Sequence, residues 1–107
     1  MPNPHPPSPS KVHGPDVEVD LERRRVRCRG ESIELTPSEF GVLVALWERP
    51  GVVLTRAQLM QRGAEADGQV TERAIDTHVR RIRGKFRPFG VDPIGTVHGV
   101  GYRASEG

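Results

Sequence analysis

A chain of 107 residues has room for one domain, and a single cysteine, Cys28, excludes an internal disulfide framework. The formal net charge of +2 is small, but it is unevenly placed. Residues 16–50 carry eight acidic and six basic residues, whereas residues 72–87 carry six basic residues against two acidic ones. Positive charge gathered on one element points to a polyanionic partner, and nucleic acid fits that pattern. No run approaches the roughly 18 apolar residues of a membrane helix, and no charged-then-apolar signal opens the chain. A soluble, cytoplasmic protein with no membrane partner is expected.

The first fifteen residues, MPNPHPPSPSKVHGP, hold six of the ten prolines and one aliphatic residue, Val12. Such a stretch buries too little apolar surface to offset its ordering entropy, so residues 1–15 are expected as a disordered, partly extended linker. The folded domain is then expected over residues 16–107. Val17 with Val19, Val26 with Cys28, and Ile33 with Leu35 alternate as strands do, with turns at Arg23-Arg24 and Gly30-Glu31. Three short antiparallel strands follow from this pattern.

Three helices come next. Thr36, Pro37 and Glu39 make a capping box with proline in the first helical position, and Leu35 with Phe40 makes a hydrophobic staple. Phe40, Leu43, Val44 and Trp47 mark one apolar stripe before Pro50-Gly51 ends the helix. Thr55 and Gln58 form a second capping box, with Leu54 and Leu59 as its staple. That helix is expected over about residues 56–62, with Gly63 as a left-handed cap. Residues 63–71, GAEADGQVT, lack periodicity and read as a loop. Thr71 then caps a third helix, with Val70 and Ile75 in the staple positions, and Ile75, Val79, Ile82 and Phe86 give it one apolar edge. Finally, residues 94–104 read as a hairpin whose Gly99 and Gly101 permit positive φ in the turn.

No histidine, cysteine or carboxylate cluster has metal-ligand spacing, so neither a metal nor a cofactor is expected. Nor is there a phosphate-cradling glycine loop, a nucleophile elbow or an acid pair, so an enzyme is not expected. The third helix carries the informative constellation. Opposite its apolar edge stand Arg73, Thr77, Arg80 and Gly84, flanked by Arg81, Arg83 and Arg87. An arginine-rich face of this kind fits a major groove about 12 Å wide, and the planar guanidinium bonds bidentately to guanine or phosphate. Asp76 stands one helical turn before Arg80, within reach of an ion pair. His78 lies on the flank, where a packing or phosphate-contacting role fits better than metal ligation.

The segments LTPSEFGVLVALWERPGVVLTRAQL, ERAIDTHVRRIRGKF and TVHGVGYR resemble the effector domain of OmpR/PhoB-type response regulators. The resemblance covers about residues 16–104. It implies an α+β winged helix-turn-helix: an N-terminal antiparallel sheet of about four strands, three helices and a C-terminal hairpin wing. It implies sequence-specific binding of double-stranded DNA in transcription regulation, with residues 72–87 in the major groove and the wing, 94–104, at the adjacent minor groove. Carried over by position, Arg81 reaches base edges with Thr77 beside it, while Arg73, His78, Arg80 and Arg83 contact the backbone or share base reading. Asp76 orients its neighbours or touches a base, and Lys85, His98 and Arg103 complete the expected DNA-binding set. Glu65 and Asp67 are the expected RNA polymerase contact, and relatives bind direct repeats as head-to-tail pairs.

Two departures stand out. His98 replaces the arginine or lysine common at the wing, and Gly84 replaces a common basic residue of the helix. A neutral imidazole is a poorer minor-groove anchor than arginine. These losses leave room for a second expectation, a winged-helix protein-interaction module with weak or non-specific DNA binding. Relatives usually carry a phosphorylatable receiver ahead of this domain. Here a proline-rich arm stands in its place, as expected of a fragment of a larger regulator or of a receiver-less relative, and this chain is expected not to be switched by its own aspartyl phosphate.

Overall fold

The computed structural model describes residues 11–13, 16–67 and 71–105. Strands β1 (Lys11–His13), β2 (Val17–Asp20), β3 (Arg25–Cys28) and β4 (Glu31–Ile33) form one antiparallel sheet in that order. Helices α1 (Pro37–Trp47), α2 (Arg56–Asp67) and α3 (Ile75–Phe86) follow, then a hairpin of β5 (Ile94–Val97) and β6 (Gly101–Ala104). This order is a winged helix-turn-helix: α2 and α3 are the paired helices, and β5–β6 is the wing.

The sheet has one strand more than alternation alone predicts. Lys11–His13, inside the segment expected as a linker, pairs with β2 in the register Val12↔Val19. Three residues are too short for a periodicity signal, and the open edge of β2 supplies the partner. The remainder of the sheet follows the pattern: Val19 faces Val26, and Val17 faces Cys28. These four side chains are buried, while Arg25 and Arg27, which alternate with Val26 and Cys28, are exposed.

Helix α1 lies at the centre. Both halves of its capping box form: Glu39 N–H donates to Thr36 Oγ1 at 3.2 Å, and Thr36 N–H donates to Glu39 Oε1 at 3.0 Å. The expected four-residue stripe understates its burial, because every residue from Glu39 to Trp47 is buried. A helix apolar on all sides must be covered on all sides. The sheet valines, Leu59 of α2, the edge of α3, and Ile94, Tyr102 and Ala104 of the wing join α1 in one core. Trp47 satisfies its buried indole N–H on Pro93 O at 3.0 Å, tying the end of α1 to the base of the wing.

Helix α2 begins as expected, with Thr55 and Gln58 bonded reciprocally at 2.9 and 3.1 Å. It does not end at Gly63. The helix continues to Asp67, so Glu65 and Asp67 lie in its last turns and not in a loop. One glycine costs about 1 kcal/mol of helix propensity, and the good helix formers Ala64, Glu65 and Ala66 follow it. Val70, expected in the third staple, lies outside the described residues. Thr71 has the extended backbone of a cap but makes no side-chain bond, and a 3-10 turn over Glu72–Ala74 leads into α3.

The two wing glycines serve different ends. Gly99 has φ +78° in the turn, as expected. Gly101 does not have positive φ. Its place is fixed by close packing: a Cβ built there would lie 2.0 Å from the Leu54 carbonyl oxygen. The adjacent Tyr102 exchanges two backbone hydrogen bonds with Leu54, at 2.8 and 3.0 Å.

Candidate nucleic-acid interface

Ile75, Val79, Ile82 and Phe86 are all buried at 1% exposure or less, so α3 is anchored along one edge and cannot rotate. That anchoring decides where its other side chains go. The side chains of Arg73, Arg80, Arg81 and Arg87 are exposed, and none is hydrogen-bonded or ion-paired among the described residues. Half-buried Thr77 and exposed Gly84 lie among them, and nothing stands within 4 Å of the Cβ position of Gly84. An outward arginine set on a held helix is the geometry that a groove requires.

Two of the six expected cations are not part of that outward set. Arg83 turns to the wing: its Nη2 donates to Ile94 O at 2.6 Å and Thr96 Oγ1 at 2.7 Å, and its Nε approaches Asp92 Oδ1 at 3.2 Å. Lys85, on the opposite flank, donates to Glu39 Oε1 of α1 at 2.5 Å. Both residues sit beside the buried edge, where carbonyls and carboxylates of neighbouring elements are nearer than solvent. Charge counting by sequence could not separate them from the outward four.

Asp76 also finds partners other than the expected one. It accepts from Arg56 Nε at 2.9 Å and from Tyr102 Oη at 2.5 Å, with Arg80 acting only through its charge. The Tyr102 and Arg56 bonds hold the Asp76 carboxyl below the usual carboxylate range. Burial and the Asp76 charge push the Tyr102 hydroxyl up. Arg56 and Tyr102 were missed by sequence reading, because no local pattern announces a contact 20 or 26 residues away.

His78 is half-buried, and its Nδ1 is the one buried side-chain nitrogen or oxygen without a hydrogen-bond partner among the described residues. Burial pushes its pKa down, against the opposing charge of Glu39 and helped by that of Arg81. The folded state therefore prefers the neutral ring, so stability is present above the ordinary value of 6.5 and is lost as pH falls below it. Thermal melting between pH 7.5 and 5.5 is expected to show falling stability in the native protein and a flatter profile in His78→Gln. Equal profiles would place the loss elsewhere.

The wing presents His98 on its exposed turn and Arg103 on the exposed side of β6. The Arg103 side chain passes over Gly95, within 3.4–3.5 Å of where a Cβ would stand. Val100, at 50% exposure, is one of two exposed large apolar residues among those described. No cluster of potential metal ligands occurs among the described residues, and none of their helices is long and apolar enough to cross a membrane.

Comparison with known proteins agrees with this geometry. The profile of the family described as "Transcriptional regulatory protein, C terminal" matches residues 30–104. The transcriptional regulatory protein TcrA of Mycobacterium tuberculosis is 39% identical over 98 residues, covering 91% of this chain and 39% of its own length. The DNA-binding response regulator MtrA of Mycolicibacterium smegmatis is 40% identical over 91 residues, covering 83% of this chain and 40% of its own. The chain thus spans about two fifths of the length of these curated relatives. Among solved structures, the response regulator DrrB, a Thermotoga maritima OmpR/PhoB homolog, superposes with a TM-score of 0.73 at 31% identity, over 90% of this chain and 44% of that one. The DNA-binding domain of AdeR, solved in complex with an intercistronic region, gives 0.71 at 28% identity, over 86% of this chain and 95% of that one. The chain belongs to the transcriptional regulatory protein C-terminal family, of the OmpR/PhoB type.

Proposed function

We propose that this domain binds double-stranded DNA in a sequence-dependent way in transcription regulation, with α3 in the major groove and the wing at the neighbouring minor groove. The observation that carries the reading is the outward arginine set on a helix whose opposite edge is fully buried. In this reading Arg81 and Thr77 read base edges, and Arg73, Arg80 and Arg87 hold phosphates. His98 and Arg103 supply the wing contacts, and half-buried His78, on the flank of α3, is a further contact to the DNA backbone. Arg83 and Lys85 act through the wing and through α1, not as primary DNA contacts. The family is not an enzyme class, and the reading is of a binding module without catalysis.

The solved complex of AdeR with an intercistronic region supports duplex DNA as the partner. Residence on the nucleoid follows when target sites are occupied. Glu65 and Asp67, at the end of α2, are the proposed contact for RNA polymerase. Head-to-tail pairing on direct repeats is the proposed assembly.

Selecting bound duplexes from a random pool tests the reading. On the selected site Arg81→Ala is expected to cost about 1–3 kcal/mol and to relax preference at one base position. With about four phosphate contacts, log K falls with log salt at a slope near −4. A protein that selects no sequence and shows no salt dependence would favour an acidic protein partner for the same face.

A further inference from the structure

Asp76 occupies the first turn of α3, on the flank between the outward arginines and the wing, and its side chain is half exposed. A bare carboxylate there would repel the phosphates that the neighbouring arginines attract. It is not bare. Its Oδ1 accepts from Arg56 on α2 and from Tyr102 on β6, so one oxygen joins three elements. The guanidinium groups of Arg56 and Arg83 both approach the Tyr102 ring, 5.7 and 6.0 Å from its centroid. Among the described residues no backbone hydrogen bond joins α3 to either wing strand. Side-chain bonds make the connection: Asp76 to Tyr102 on β6, and Arg83 to Ile94 and Thr96 on β5.

We infer that Asp76, Arg56 and Tyr102 form a clamp that sets the wing's position relative to α3, making Asp76 a positioning residue that reads no base itself. The inference rests on the DNA reading given above. A helix in one groove and a hairpin in the next make contact together only when their separation matches that of the grooves. A clamp closed in the free protein fixes that separation before DNA arrives, so binding does not have to order it. Arg56 has a second effect, since its charge offsets that of Asp76 beside the duplex.

Tyr102→Phe deletes only the hydroxyl, and Asp76→Asn deletes only the charge. In the DNA-free protein both variants are expected to speed hydrogen exchange of the wing amides by about fivefold, with α1 amides unchanged. On the selected duplex both are expected to lose preference between wing-side flanking sequences by about fivefold, while keeping the discrimination that Arg81→Ala removes. A merely structural role would weaken every duplex alike. Unchanged wing exchange in both variants overturns the clamp whatever the DNA results, and so does a wild-type flank preference in both. A new base preference under α3 in Asp76→Asn overturns the claim that Asp76 reads no base. Absence of any duplex preference in the unmutated protein would instead remove the DNA reading, with the exchange result still deciding the clamp.

Discussion

Gly101→Ala is expected to lower stability by about 3 kcal/mol, combining overpacking with lost backbone hydrogen bonds. The added Cβ would meet Leu54 O at 2.0 Å, Leu54 C at 2.8 Å and Thr55 Cα at 3.0 Å. All three are backbone atoms, so no side chain can swing aside. The strand must separate from Leu54, and the two bonds between Leu54 and Tyr102 go with it. For a domain of this size the melting temperature should fall by roughly 10–20 °C. Gly99→Ala is the matched control. Its Cβ enters open space, and its only difficulty is φ +78°, a cost of roughly 1–2 kcal/mol. Equal losses in the two variants would mean that close packing at Leu54 does not hold the wing.

The second large effect concerns Lys85. Glu39 is 1% exposed, and its carboxylate is bonded to Lys85 Nζ and to the Thr36 N–H. Burial pushes the Glu39 carboxyl up, but the Lys85 and Thr36 bonds and the charges of Lys85 and His78 outweigh it, and the net shift is downward. Removing one partner of a fully buried pair costs about 3–5 kcal/mol. Lys85 is 37% exposed, so water reaches its end of the pair, and Lys85→Met is expected to cost about 2 kcal/mol after discounting for that screening. The pH dependence should change as well. A depressed carboxyl contributes stability that is present above its ordinary value of 4.5 and lost as pH falls through the folded value. Without Lys85 its hydrogen bond and its charge no longer oppose the burial effect, and acid unfolding moves to higher pH. Denaturant melts of Lys85→Met at pH 7 and pH 4 check both statements. Stability equal to that of the native protein at pH 7 would show the pair to be inconsequential.

Elements with dense local signals are legible in the sequence. Both capping boxes form at the residues that spell them, and the apolar edge of α3 is buried at all four expected positions. Each signal joins residues no more than five positions apart, and the physics of a helix end or face is equally local. What escaped depends on distant partners. The strand Lys11–His13 exists through the edge of β2, and α2 runs past Gly63 because propensity is graded, not absolute. Within the candidate site, composition singled out α3, but only tertiary packing divides its cations. Arg83 and Lys85 differ from Arg80 and Arg81 by facing Ile94 and Glu39 across the fold. Gly101 departs from its expected turn role for the same reason: its constraint is the carbonyl of Leu54, 47 positions earlier in the chain.

In the proposed function the anchored α3 presents its outward arginines to a duplex. Guanidinium and backbone amide resonances of the isotope-labelled protein, recorded while the selected duplex is added, test it most directly. The side chains of Arg73, Arg80 and Arg81 and the amides of the wing are expected to shift, with β2 and β3 unmoved. Shifts confined to the sheet, with the α3 arginines unaffected, would contradict it.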